Sequence, residues 1–219
     1  MLDWIEERAA INKLAEALIA KFSHMPYVAT KVHNSRKPYS TVKKYVDEMS
    51  IEEKKILVEI AQSIEEHENP TDIFNLVQYQ AEFCISEACW HQLLRHRKPT
   101  WVYKEPSVKY GVTIPPKIKK FGLTSVLRKS IKASEKLFDE LEAHGLYSVA
   151  PYVVTNAHNR LVLGNIDLNN LYHLYRLRTS DAAQWEIKLV MKRLVDQISE
   201  CHPFLMKLVR ESANKEEKE

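Results

Sequence analysis

The sequence QLLRHRKPTWVYKEPSVKYG, residues 92–111, decides how this chain is interpreted. It begins at the end of a segment with regularly spaced apolar residues and runs into a loop that is rich in aromatic and basic residues. Its basic residues are Arg95, His96, Arg97, Lys98, Lys104 and Lys109, and its only acid is Glu105. Like charges this close together repel one another unless solvent screens them or an anion binds them. A solvated helix end and an anion-binding loop are therefore the two explanations to weigh.

Length and composition bound the class of the protein. The chain has 219 residues, of which 45% are hydrophobic, and this is enough for one sizeable core. We therefore expect a single domain over residues 1–219. The formal net charge of +3 is too small to argue for nucleic acid by itself. Since no stretch is apolar enough to predict a membrane span or a secretory signal, we expect a cytoplasmic protein that does not bind membranes.

Glycine and cysteine usage excludes several kinds of site. The chain has only four glycines, too few and too scattered for a glycine-rich phosphate loop. Its three cysteines lack the paired spacing of a metal site, which favours a reduced protein without a bound metal. Any nucleotide must then be held by side chains and helix ends.

Apolar periodicity predicts that helices dominate the fold. Helices are expected near residues 2–22, 124–143, 167–177 and 181–199, and another is expected to begin at the capping box Ser50-x-x-Glu53. A further helix over residues 85–97 would carry the two arginines of the basic segment. Gly145 is expected to end the helix over residues 124–143. The capping box Asp181-x-x-Gln184 is expected to begin the last helix, over residues 181–199.

Two segments predict strands. Val77, Tyr79, Ala81 and Phe83 alternate with polar residues, and RLVLGN, residues 160–165, is a short β-prone run. The expected fold class is therefore α/β of the α+β type, helix-rich with a small central antiparallel or mixed sheet. Within this fold, we expect residues 1–66 to form a divergent helical part. We expect residues 212–219 to be a disordered tail.

Polar residues around the basic segment favour a phosphate-bearing ligand. Gln92 lies just before it, and Ser107 and Tyr110 lie at its end. Ser107 as a nucleophile would need a base within hydrogen-bond reach, and the sequence identifies none. The competing interpretation is a nucleic-acid-binding loop in which Trp101 and Tyr103 stack on bases, although aromatic residues in such loops more often pack locally.

Two separate stretches together resemble the flavin-dependent thymidylate synthases. That family carries R-H-R, a spacer and E-x-S-x-R-Y, and this chain has RHR at residues 95–97 and EPSVKY at 105–110. The family's downstream segment L-R-x-x-x-x-A-Q-x-E-I is matched by LRTSDAAQWEI, residues 177–187. HENP, residues 67–70, resembles the family's H-E-x-P loop.

The resemblance implies an activity and an assembly. In that family dUMP becomes dTMP, methylenetetrahydrofolate supplies the one-carbon unit, and NADPH reduces a bound FAD. The resemblance also implies a homotetramer with FAD at the subunit interfaces. Nucleic acid is not an expected partner.

The resemblance further implies roles for individual residues. Arg178 matches the arginine that polarises the uracil ring, and Ser107 matches the serine that orients the nucleotide, so these two are the predicted catalytic residues. The other nucleotide contacts fall on Gln92 and Lys109. The FAD contacts fall on His67, Arg95, His96, Arg97, Glu105, Asp167, Asn169 and His173.

Several positions depart from the family pattern. Lys109 stands where E-x-S-x-R-Y has arginine, and lysine keeps the charge but lacks the bidentate fork. Pro151 stands where the family has an arginine that grips the nucleotide phosphate. The spacer between Arg97 and Ser107 is also longer than usual. The alternative is therefore a divergent flavoprotein for another nucleotide or pyrimidine-like substrate, or a non-catalytic nucleotide-binding homologue.

Overall fold

The computed structural model describes residues 6–22, 39–63 and 72–214. Within these ranges the chain forms two compact units. The first unit is Gln80–Asn165, and the second consists of the described residues up to Tyr79 and from Ile166 onward. In the described ranges, no helix combines the length and apolarity that a membrane crossing requires.

Helices make up most of the described structure. They are α1 (Glu7–Phe22), α2 (Tyr39–Glu48), α3 (Ile51–Ser63), α4 (Glu87–Leu93), α5 (Pro116–Lys120), α6 (Thr124–Ala143), α7 (Leu168–Thr179), α8 (Trp185–Ser199) and α9 (Pro203–Asn214). The strands are β1 (Gln78–Ser86), β2 (Thr100–Tyr103) and β3 (Asn159–Asp167), and short 3-10 turns cover Asp72–Leu76 and Ala150–Val153. The helix-rich α+β class expected from the sequence is confirmed.

The three strands form one small sheet in the order β1-β3-β2. Strand β1 buries Tyr79, Ala81, Phe83 and Ile85 and exposes the residues between them, so the predicted alternation is confirmed. Strand β3 contains the predicted run RLVLGN and extends it at both ends. Strand β2 runs antiparallel to β3, with Trp101 opposite Gly164.

Four aromatic residues of the first unit cluster around the buried Trp90 and the half-buried Trp101. The Trp101 ring meets the rings of Phe83 and Trp90 edge to face, with centroids 6.2 and 5.9 Å away, and Tyr103 lies 4.9 Å from Trp90. A side chain at Gly164 would collide with the Trp101 ring. Trp101 and Tyr103 therefore pack locally, which is the commoner role of aromatic residues in such a segment.

The second unit is a helical assembly. Helix α1 packs against α2 and α3, and α7 packs against α8 and α9. The predicted capping box begins α3, because the Glu53 N–H donates to Ser50 Oγ at 3.2 Å and the Ser50 N–H donates to Glu53 Oε2 at 3.0 Å. These reciprocal bonds satisfy two of the backbone donors left over at the helix start.

Several sequence-based boundaries were wrong. The helix expected over 85–97 is only α4, which ends at Leu93 with Leu94 as its C-cap. Helix α8 is capped by Gln184 itself, whose side chain accepts from the N–H groups of Glu186 and Ile187. Helices α2, α5 and α9 and strand β2 were not predicted. Helix α9 reaches Asn214 and so includes three residues of the expected disordered tail, while residues 215–219 lie outside the described ranges.

Candidate functional site

Helix α4 carries the first candidate residue and ends just before the basic segment. Its start is capped by Ser86, whose Oγ accepts from the Cys89 N–H at 3.1 Å. The helix buries Trp90 and Leu93 and leaves Gln92 half-buried. Arg95, His96 and Arg97 follow the helix as irregular backbone. Their side chains are therefore directed by the loop and not by helical spacing.

Two hydrogen bonds fix the backbone of this loop at His96. The His96 N–H donates to the Leu93 carbonyl at 2.9 Å, and the indole Nε1–H of Trp101 donates to the His96 carbonyl at 2.9 Å. The flanking Arg95 and Arg97 are exposed, and no described carboxylate forms an ion pair with either. The loop thus presents two guanidinium groups on a backbone held by the aromatic cluster.

The other candidate residues of the first unit lie in the following loop. Glu105 is exposed and Ser107 is half-buried, and the Ser107 Oγ accepts from the Lys109 N–H at 3.2 Å. The Lys109 ammonium donates to Glu142 Oε2 of α6 at 2.7 Å. This hydrogen bond to Glu142 raises the pKa of Lys109. Lys109 is therefore a cation that already has an acidic partner.

The remaining described candidates lie on one helix of the second unit. Asp167 caps α7 by accepting from the Asn170 N–H at 2.8 Å. Asn169 is buried, and His173 is half-buried one turn further along the same face. Arg178 is half-buried in the last turn of the helix. Helix α7 thus carries three candidates and Asp167 caps its start, whereas His67 lies outside the described residues.

A buried ion pair in the first unit was missed from the sequence. Nε of Arg160 donates to Glu87 Oε1 at 2.7 Å, and Arg160 and Glu87 are only 7% and 5% exposed. The Arg160 guanidinium carbon lies 5.5 Å from the Tyr103 ring centroid and 6.0 Å from that of Trp90. This pair links α4 to β3. No local motif signals it, because the partners are 73 residues apart.

His158 is a second buried titratable group that the sequence did not single out. Its Nδ1 accepts from the Thr155 N–H at 3.0 Å, so the proton of the neutral ring sits on Nε2. That Nε2 is buried without a hydrogen-bond partner among the described residues and lies 4.0 Å from Glu135 Oε1. Burial lowers the pKa of His158, which keeps the ring neutral.

The residues of the basic loop suit a ligand that carries a diphosphate. A diphosphate is best held by charged donors that have no competing acid, and Arg95 and Arg97 meet that condition. The exposed Glu105 supplies a hydrogen-bond acceptor in the next stretch of the loop. The donor set suits phosphate oxygens better than a metal ion, since guanidinium groups repel cations.

Comparison with known families identifies the class of protein. Residues 11–204 match the family model described as thymidylate synthase complementing protein. The matched range includes all of the first unit from Gln80 to Asn165, most of the described second unit and every candidate residue named above. The chain therefore belongs to the thymidylate synthase complementing protein family.

Individual relatives support this membership. The chain is similar to the flavin-dependent thymidylate synthase of Sulfolobus acidocaldarius, with 32% identity over 130 residues, covering 56% of this chain and 50% of that protein. Its identity to the flavin-dependent thymidylate synthase of Saccharolobus solfataricus is 29% over 129 residues, covering 56% of this chain and 50% of that protein. Its identity to the flavin-dependent thymidylate synthase of Pyrococcus abyssi is 29% over 131 residues, covering 55% of this chain and 53% of that protein. The chain spans about half the length of these relatives.

Proposed function

We propose that the protein is an FAD-dependent thymidylate synthase, which converts dUMP to dTMP with methylenetetrahydrofolate as the one-carbon donor and NADPH as the reductant. The observation that carries the proposal is a pair of exposed arginines, Arg95 and Arg97. Neither has a carboxylate partner among the described residues, and the backbone between them is held by hydrogen bonds at His96. Family membership and the named relatives support the choice of reaction. The proposal includes a cytoplasmic homotetramer with FAD at the subunit interfaces.

The residues divide into two groups in this proposal. Arg95 and Arg97 hold the diphosphate of FAD, and the other proposed FAD contacts are His67, His96, Glu105, Asp167, Asn169 and His173. Gln92 and Lys109 hold the nucleotide, Ser107 orients it, and Arg178 donates hydrogen bonds that polarise the uracil ring. When bound, the flavin supplies the hydride, which no side chain carries.

The absorption spectrum of the purified full chain tests the cofactor. A yellow protein, or one that turns yellow on reconstitution with FAD, is expected. The Arg95→Ala/Arg97→Ala variant should lose most of its FAD affinity, whereas Arg128→Ala, which removes an exposed arginine from α6, should keep it. A protein that stays colourless with excess FAD would contradict the proposal.

The reaction is tested by substrate-dependent NADPH oxidation. The rate should rise when dUMP is added, and dTMP should form when methylenetetrahydrofolate is also present. Arg178→Ala should retain FAD but lose turnover, whereas Arg193→Ala, at an exposed arginine of α8, should retain both. Full turnover by Arg178→Ala would remove that residue from the mechanism.

A second candidate function is favoured by the partner of Lys109. Because Glu142 already neutralises Lys109 and Pro151 offers no donor, a flavoprotein for another nucleotide or pyrimidine-like ligand fits this corner of the site. A thermal-shift panel of nucleotides and nucleosides separates the candidates. A ligand present at 100 times its Kd stabilises the fold by about 2.7 kcal/mol.

A further inference from the structure

Lys109, the cation of the proposed nucleotide site, already forms an ion pair with Glu142. Nζ of Lys109 lies 2.7 Å from Glu142 Oε2 and 5.7 Å from the centroid of the Phe138 ring. Phe138 is buried, whereas 59% of the Lys109 side chain and 30% of the Glu142 side chain are exposed. An entering ligand can therefore reach both charges of the pair.

The end of α6 holds Glu142 in place. The Gly145 N–H donates to the Glu142 carbonyl at 2.9 Å, and the Leu146 N–H donates to the Leu141 carbonyl at 2.9 Å. These two bonds, with Gly145 at φ +73°, form a Schellman motif, which needs a left-handed residue at that position. The buried Ile131 and Phe138 anchor the helix. The carboxylate thus projects from a well-defined helix end.

The backbone at Lys109 is also held on both sides. Ser107 Oγ accepts from the Lys109 N–H at 3.2 Å, and the Tyr110 carbonyl accepts from Asn159 Nδ2 at 3.2 Å. The Asn159 N–H then donates to the Gly111 carbonyl at 2.9 Å. The ion pair therefore joins two fixed backbone segments, and its short distance follows from where those segments lie.

The charge balance of this corner disfavours a phosphate. A dianionic phosphate beside Lys109 would also face the Glu142 carboxylate, and the repulsion would offset much of the attraction. Pro151, in the same unit, has neither a side-chain donor nor a backbone N–H to compensate. A ligand without that phosphate meets no such repulsion.

From this geometry we infer that Glu142 is a specificity-determining residue, which competes with ligand phosphate for Lys109 and biases the site from pyrimidine 5′-monophosphates towards pyrimidine nucleosides. The inference rests on the proposed function, because it takes Lys109 as a ligand contact. It predicts that removing one carboxylate changes the ratio of the affinities for the two ligands without changing the fold.

The test compares deoxyuridine and dUMP binding to the FAD-treated full chain by calorimetry at low ionic strength. The Glu142→Gln variant keeps the size of the side chain and removes its charge. Its affinity for dUMP relative to deoxyuridine should rise by about two- to fivefold, the scale of an exposed charge contact. The matched control is Glu140→Gln, which removes an exposed acid of α6 that pairs with Lys136 and should leave the ratio unchanged.

A second variant shows whether the effect passes through Lys109. In a Lys109→Met background, Glu142→Gln should give a smaller gain in phosphate affinity, because the contested cation is gone. An unchanged ligand ratio in Glu142→Gln, or an equal rise in Glu140→Gln, overturns the inference.

Inorganic phosphate separates failure of this inference from failure of the proposed function. Phosphate can be titrated while the NMR signal of the Lys109 ε-methylene is followed, with no need for flavin or pyrimidine. Tighter phosphate binding by Glu142→Gln than by the native chain is expected. Equal phosphate binding by the variant and the native chain overturns the inference about Glu142, even if the protein is yellow. Tighter phosphate binding by the variant supports the inference, and if the native chain stays colourless with FAD, only the proposed flavoenzyme function is rejected.

Discussion

Arg160 and Glu87 form a buried ion pair, with Nε of Arg160 2.7 Å from Glu87 Oε1 and the guanidinium near the rings of Trp90 and Tyr103. A buried charge is tolerated only when a partner and hydrogen bonds replace its lost hydration. Glu87 is the first residue of α4, so the pair ties the start of that helix to β3. It thereby supports the loop that follows the helix.

Removing one partner of this pair should destabilise the protein strongly. Glu87→Ala leaves Arg160 charged and buried, and we expect a loss of about 3–5 kcal/mol in the free energy of unfolding. Urea unfolding followed by tryptophan fluorescence measures it. The double variant Glu87→Leu/Arg160→Met should recover most of the loss, because no unpaired charge remains. A single variant as stable as the native protein would show that water reaches the pair.

The close approach of β2 to β3 should make Gly164 sensitive to any side chain. Gly164→Ala places a methyl group against the Trp101 ring, and overpacking of this kind costs about 1–3 kcal/mol. Thermal unfolding checks the loss. The second change Trp101→Leu should lower the penalty of the first, because it removes the colliding ring atoms. If the penalties simply add, the contact is not its cause.

The capping box of α3 should be measurable by a single substitution. Ser50→Ala removes the acceptor for the Glu53 N–H, and we expect a loss of about 1 kcal/mol in the free energy of unfolding. Ser130→Ala is the control, since it changes an exposed serine inside α6 and should be neutral or slightly stabilising. Equal effects of the two variants would contradict a capping role for Ser50.

The buried neutral His158 should make stability depend on pH. Its pKa in the folded protein is below the ordinary 6.5, because burial disfavours the charged ring and outweighs the nearby acids Glu135 and Glu87. The unfolded chain then binds more protons than the folded one as the pH falls below 6.5. The stability that neutral His158 contributes is fully present above pH 6.5 and is lost as the pH falls below that value.

Unfolding of the native chain and of His158→Gln between pH 7.5 and pH 5 checks this expectation. The native chain should lose stability more steeply below about pH 6.5, where unfolded histidine becomes charged. The difference between the two proteins should be constant at higher pH. Parallel curves over the whole range would mean that His158 titrates normally in the folded state.

The sequence was most informative where the signal is local. The alternation in β1 predicted which side chains are buried, since successive residues of a strand point to opposite faces. Gly145 predicted the end of α6, because a left-handed residue closes the helix and glycine adopts it without strain. The capping box of Ser50 and Glu53 was also predicted correctly, because its two partners lie within one helical turn of each other.

The candidate site was only partly within reach of the sequence. Arg95, Arg97, Ser107 and Arg178 were found by their spacing in motifs, and their roles stay predictions. The partner of Lys109 was not found, because Glu142 lies 33 residues away on a helix that carries several other acids. Whether Lys109 faces water or an acid depends on where α6 ends.

The sequence by itself determined the helix-rich class, the strand β1 and the positions that match the family, because each depends on residues close together in the chain. The tertiary structure alone decided that Arg160 pairs with Glu87, that Trp101 lies on Gly164 and that Glu142 neutralises Lys109. Those relationships join residues that are far apart in sequence. The physical reason is that burial and charge pairing depend on distance in space, which the folded backbone sets and local spacing does not.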